Sequence, residues 1–161
     1  MTTPYRNGPI RTRRPLRRRT IDDTPTADRS HAPSAPVEIV FVATPRTFRQ
    51  SVAYFTQLLG HPLRTTGSVR AALALLRHEA VDIVVIDDVL DARLLLANRQ
   101  QHGWNDLLVI VMTVVVTEAD RDRWLTAGAY ACLDKPFTLG AYRQALERAV
   151  AETRTRRSTS S

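Results

Sequence analysis

The chain has 161 residues, of which 43% are hydrophobic, and it carries a formal net charge of +7 at pH 7. This length suits one domain with a sizeable core, and no apolar run approaches the roughly 20 residues of a membrane helix. The single cysteine, Cys132, excludes an intramolecular disulfide and is typical of a reducing, cytoplasmic setting.

The positive charge is concentrated at the two ends of the chain. Residues 1–36 contain eight Arg and three Asp, and residues 152–161 contain three Arg and one Glu. Residues 37–151 contain twelve basic and twelve acidic residues and are therefore neutral. Because both ends are poor in large apolar residues, we predict that both are disordered.

Residues 37–151 alternate between short apolar runs, which are typical of buried strands, and apolar residues at helical spacing. In chain order the pattern predicts a strand over 37–42, a helix over 48–59, a strand over 63–66, a helix over 69–76, a strand over 81–86, a helix over about 92–100, a strand over 107–112, a helix over 118–127, a strand over 131–133 and a helix over 139–150. Ser68 is a predicted N-cap, and Gly128 is a predicted helix end. Five alternating strands and helices predict an α/β domain with one parallel, doubly wound sheet.

The carboxyl ends of the predicted strands carry the candidate site residues, because ligand chemistry in such a sheet belongs at that edge. Lys135 is the only lysine among 23 basic residues, which indicates that this position specifically requires lysine and not arginine. In strand order, the residues at this edge are Ala43 and Thr44, Asp87 and Asp88, Thr113, and Lys135.

Several motifs resemble the receiver domain of response regulators in two-component signalling. The segment VDIVVID at 81–87 is similar to the family's third strand, which ends on the phosphate-accepting Asp. LTAGA at 125–129 and LDKPF at 133–137 are similar to the family's AGA and KPF signature. The interval from Thr113 to Lys135 also matches the family's spacing. The resemblance covers 37–151 and implies a flavodoxin-like (βα)5 fold with strand order 2-1-3-4-5.

The resemblance also assigns roles to individual residues. It implies that Asp87 is the phosphoacceptor, that Thr113 and Lys135 form the phosphate switch, and that the bond before Pro136 is cis. It implies a signalling module and not an enzyme, with a sensor histidine kinase or a phosphotransfer protein as partner. It further implies a homodimer or protein contact through the fourth helix.

The magnesium site departs from the family's pattern. In the family, an acidic pair after strand one and the acceptor Asp hold a Mg²⁺ ion, but here Ala43 and Thr44 replace that pair. Since Mg²⁺ prefers oxygen ligands and dehydrates reluctantly, Asp87 alone is a poor site, and strand alternation directs Asp88 away from it. We therefore expect an atypical receiver with a weak Mg²⁺ site.

The phosphate switch departs from the family's pattern as well. Val114 stands where the family favours a small residue, and Cys132 replaces the aromatic residue of strand five. Tyr130 is expected on the same side as Cys132, as a weak substitute. Trp124, on the predicted fourth helix, is expected either to pack in the core or to contribute to an interface.

Three functions remain open from the sequence. The first is a stand-alone atypical receiver, with no output domain after its last helix, that accepts phosphate on Asp87 and acts through protein contacts. The second is a pseudo-receiver, a binding or dimerisation module that works without phosphate. The third is a nucleic-acid-associated protein that binds through counterion release, with contacts from Arg13, Arg14, Arg17, Arg18 and Arg19.

Overall fold

The computed structural model describes residues 35–87, 89–115 and 117–160. Its elements in chain order are β1 (Ile39–Val42), α1 (Arg46–Leu58), β2 (Leu63–Thr66), α2 (Val69–His78), β3 (Ile83–Ile86), α3 (Val89–His102), β4 (Leu108–Thr113), α4 (Glu118–Thr126), β5 (Ala131–Asp134) and α5 (Leu139–Thr159). All strand pairs are parallel, and the sheet order β2-β1-β3-β4-β5 confirms the predicted topology.

The central strands β1, β3 and β4 are buried along their whole length, because helices cover both faces of the sheet. Ile39 and Phe41 pack into a core with α1 and α5, whereas Val40 and Val42 pack into a second core with α2, α3 and α4. This alternation follows from the two-residue period of a strand. The runs of β-branched residues in the sequence therefore mark strands with two buried faces.

Helix starts follow local capping rules. The Ser68 side chain accepts a hydrogen bond from the Ala71 N–H, which confirms the predicted N-cap of α2. Thr117 and Asp120 form a reciprocal capping box at the start of α4. After α4 ends, Gly128 adopts a φ of +102°, a conformation that favours glycine. None of the helices in the described ranges is long and apolar enough to cross a membrane.

The prediction of a disordered tail at 152–161 is wrong, because α5 continues to Thr159. The apolar face of α5 extends past Val150, and Thr153 on that face is buried. Arg157 then pairs with Asp82 at the amino end of the sheet. Composition alone suggested disorder. In the structure, the buried face of α5 and the Arg157–Asp82 ion pair hold residues 152–159 against the rest of the domain.

The basic segment at the amino terminus lies outside the described residues, which begin at 35. The predicted nucleic-acid contacts fall in that segment and stay a prediction. They are Arg13, Arg14, Arg17, Arg18 and Arg19.

Candidate functional site

Asp87 and Lys135 form an ion pair at the carboxyl edge of the sheet. The Asp87 N–H donates to the Val42 carbonyl at 2.8 Å, and the Lys135 N–H donates to the Thr113 carbonyl at 2.9 Å. The Asp87 side chain is 8% exposed and that of Lys135 is 36% exposed. Burial lowers the pKa of the Lys135 ammonium below its ordinary value. The structure thus brings together the predicted acceptor and the predicted cation.

An open, mostly apolar groove of about 480 Å³ surrounds this ion pair. The Lys135 Nζ lies 5.8 Å from the centroid of the Phe48 ring. The Lys135–Pro136 peptide bond, which forms part of the rim, is cis. The apolar residues of the groove come from the first turn of α1 and from loops at this edge: Pro45, Phe48, Val114, Pro136 and Phe137.

Thr113, the predicted switch hydroxyl, does not line this groove. It is 5% exposed and lines a different cavity, between α3 and α4. Val114 borders both spaces and is 64% exposed. The bulky residue at the position where the family favours a small one therefore lines both the cavity that contains Thr113 and the groove that contains the Asp87–Lys135 pair.

The end of β1 does not fit the magnesium site that the resemblance implies. Ala43 is buried and Thr44 is exposed, and neither provides a carboxylate. Arg49 places a cation there instead, since its Nη1 donates to the carbonyls of Ala43 and Thr44 at 2.5 and 2.6 Å. Across the described ranges, no group of three His, Cys, Asp or Glu residues could hold a metal ion. Asp88 lies outside the described residues.

Two polar residues at this edge were missed by the sequence reasoning. Arg49 is one of them, and a Cβ at Gly67 would lie 3.2 Å from its Nη1, so a larger residue at position 67 would require a small shift of the Arg49 side chain. Asp134 is the other, because its Oδ1 accepts a hydrogen bond at 2.8 Å from the Val115 N–H and so holds the loop after β4. Nothing in the sequence distinguishes Arg49 from the other arginines of the chain. Asp134 directly precedes Lys135, and this position could have predicted that it lies at the candidate site.

The structure shows where three residues in and near β5 pack: Tyr130, Cys132 and Trp124. Tyr130 packs with the α1–α5 core and Cys132 with the opposite core, so the expected shared side is wrong. The reason is that Tyr130 precedes the strand, and strand alternation does not extend to it. Trp124 is only 8% exposed and packs in the same core as Cys132, as expected for the packing role. Burial raises the pKa of the Cys132 thiol.

Comparisons with known proteins give a consistent fold. The sequence matches no protein-family model and no curated protein. NtrX from Brucella abortus, solved in complex with ADP, is 26% identical with a TM-score of 0.68; the match covers 78% of this chain and 28% of NtrX. The chemotaxis protein CheY4 of Vibrio cholerae is 23% identical with a TM-score of 0.62, over 71% of this chain and 99% of CheY4.

A CheY-like receiver domain protein from Methanospirillum hungatei is 17% identical with a TM-score of 0.65, over 76% of this chain and 99% of its own. The two proteins below 25% identity support the fold alone. This chain spans little more than a quarter of NtrX, the most identical of the three. Topology and these neighbours together show that the described part of this chain has the fold of a response-regulator receiver domain.

Proposed function

We propose that this protein is an atypical receiver of two-component signalling, in which Asp87 accepts phosphate poorly and output is by protein–protein contact. The observation that carries the proposal is the Asp87–Lys135 ion pair at a sheet edge where β1 supplies no carboxylate. The partners would be a sensor histidine kinase or a phosphotransfer protein. A cytoplasmic location and the absence of enzymatic activity are parts of this proposal.

The expected weakness of phosphorylation has a physical cause. A carboxylate oxygen of Asp87 attacks phosphorus while the leaving group departs with its electron pair, and negative charge accumulates on the phosphoryl oxygens. Lys135 can neutralise part of this charge, but it is already paired with Asp87. Even the loss of an outer-shell partner at a metal site typically costs about 10–100-fold in affinity or activity. We infer that replacing both acids of the metal site lowers the rate at least as much.

Restoring the acidic pair tests this proposal. The wild type and the Ala43→Asp/Thr44→Asp variant are incubated with acetyl phosphate and Mg²⁺, and the phosphorylated fraction is followed by intact mass. We expect phosphorylation to be about tenfold faster or more in the double variant. Adding Asp87→Asn to the double variant should abolish it.

Two outcomes would contradict the proposal. Equal rates in the wild type and the double variant would show that magnesium binding is not the limiting defect. Phosphate that persists when Asp87→Asn is present would show that another residue is the acceptor.

A second candidate function is a pseudo-receiver that works without phosphate. The observation that favours it is that Thr113 lines a different cavity from the Asp87–Lys135 groove, whereas a switch hydroxyl is expected to line the groove that holds the phosphoryl group. On this hypothesis the protein dimerises or binds its partner through the α4 face, whether or not Asp87 is modified. Sedimentation with and without beryllofluoride and Mg²⁺ distinguishes the two. A change in the wild type that is absent in Asp87→Asn would rule out the second candidate.

A further inference from the structure

A second cavity, of about 300 Å³, lies between α3 and α4 beside the end of β4. It is distinct from the groove above the ion pair, and its floor includes the buried Thr113. Its lining combines apolar side chains with a few charged ones, which is the composition expected of a small-ligand site. The apolar lining is Val89, Val114, Trp124 and Ala127, and the basic lining is Arg93 and Arg123.

Arg93 is the cation best placed to bind a ligand in this cavity. Its guanidinium carbon lies 5.8 Å from the centre of the Trp124 ring. Within the described ranges Arg93 has no carboxylate partner. Stacking on an aromatic ring holds the planar guanidinium in place while its N–H donors stay available for bidentate binding of an oxyanion.

One carboxylate, that of Asp120, also lines the cavity, but its oxygens are engaged. Oδ2 accepts hydrogen bonds from the N–H and the hydroxyl of Thr117 at 3.0 and 2.9 Å. Oδ1 lies 3.3 Å from an Arg123 nitrogen. With two arginines and one aspartate, the lining carries a net positive charge, so the cavity attracts anions.

We propose that this cavity binds a small organic anion, whose flat apolar body lies against Trp124 and Val89 and whose oxyanion is held by Arg93. Thr113, the last residue of β4, and Val114, the first residue after it, both line the cavity, so occupancy changes the position of the loop that follows β4. The site is independent of phosphate on Asp87. Ligand binding in this cavity therefore moves the loop that follows β4, whether or not Asp87 is phosphorylated.

Benzoate is a suitable probe, because it combines one carboxylate with one flat ring. It is titrated into the ¹⁵N-labelled full chain, and the indole N–H signal of Trp124 is identified by comparison with Trp104→Phe. We expect saturable shifts of that indole signal and of the Val114 amide. Acetate, which lacks the ring, and benzyl alcohol, which lacks the charge, should each bind about tenfold more weakly or worse.

Two matched variants decide whether Arg93 holds the carboxylate. Arg93→Gln should weaken benzoate binding about tenfold or more, as expected for a lost charge-assisted pair. Arg70→Gln, at an exposed site on α2, should leave the affinity unchanged. The proposal is overturned by shifts that do not saturate, by equal affinity in Arg93→Gln, by equal loss in Arg70→Gln, or by benzyl alcohol that binds as tightly as benzoate.

A third variant separates this proposal from the one on phosphorylation. Asp87→Asn removes the acceptor and leaves every residue of the cavity intact. If the affinity for benzoate is unchanged in Asp87→Asn, the result supports a binding site in the cavity that does not depend on Asp87. Loss of benzoate binding in this variant would overturn the claim that the cavity is independent of Asp87.

Discussion

Replacing Arg157 by Ala tests whether the end of α5 belongs to the folded domain. The Arg157 Nη2 lies 2.8 Å from both carboxylate oxygens of Asp82, and its Nη1 donates to the Ala35 carbonyl at 3.0 Å. The Asp82 side chain is only 16% exposed, whereas that of Arg157 is 39% exposed. The variant leaves Asp82 with the Glu38 N–H, at 2.7 Å, as a remaining donor.

The size of the effect follows from this geometry. Charge-assisted hydrogen bonds contribute about 1.5–3 kcal/mol when buried, and exposed ion pairs contribute about 0–1 kcal/mol. Because Asp82 is mostly buried and Arg157 is partly exposed, we expect Arg157→Ala to lower the free energy of unfolding by about 1–2 kcal/mol. With a urea m-value of about 2 kcal/mol/M, the midpoint should fall by roughly 0.5–1 M.

The assay is urea unfolding followed by far-UV circular dichroism, with Arg154→Ala as the matched control. Arg154 lies on the same turn of α5 but is exposed, so its removal should change stability by less than about 0.5 kcal/mol. Equal midpoints for the two variants would refute the reasoning. They would mean that the end of α5 does not stabilise the domain, as composition alone had suggested.

Three smaller predictions concern buried or tethered groups. The Tyr142 hydroxyl lies 2.7 Å from the Thr56 Oγ1, and burial raises the pKa of Tyr142 above 10.0. The unfolded chain therefore loses this proton first, so the free energy of unfolding should fall as the pH rises above about 10. The fall should be steeper in the wild type than in Tyr142→Phe. Equal dependence of the free energy of unfolding on pH in the two proteins, measured by urea unfolding, would contradict this. Because burial raises the pKa of Cys132, its reaction with a disulfide reagent at pH 8 should be several-fold slower in the native protein than in urea, and equal rates would argue against burial. Asp134→Ala removes the acceptor of the Val115 N–H, so hydrogen exchange at that amide should accelerate, whereas unchanged exchange would show that the loop is held by other contacts.

Much of the fold is predictable from the sequence because the signals are local. The segment from Ile83 to Ile86 is β-branched throughout, and only a strand covered on both faces buries such a run completely. Capping residues such as Ser68 mark helix starts through hydrogen bonds within one turn. The alternation of these elements then restricts the chain to a parallel sheet, whose carboxyl edge carries Asp87 and Lys135.

The tertiary structure decided which of those edge residues meet. The Asp87–Lys135 pair depends on the packing of β1, β3, β4 and β5 side by side, and the same packing places Thr113 at a different cavity from that pair. Arg49 lies at the end of β1 because its side chain donates hydrogen bonds to the carbonyls of Ala43 and Thr44, which come within its reach only in the folded loop.

The end of α5 shows the same division between local and distant information. By composition, 152–161 is a polar segment of the kind that stays disordered, although the helical spacing of buried residues in α5 continues into it as far as Thr153. Its partner, Asp82, lies 75 positions away from Arg157 and comes beside it only when β3 and α5 pack in one domain. The elements, their order and the edge that carries the site can therefore be read from the amino-acid sequence, because they depend on periodicity and capping. The pairing of side chains cannot, since it depends on contacts between distant parts of the chain that form only in the folded domain.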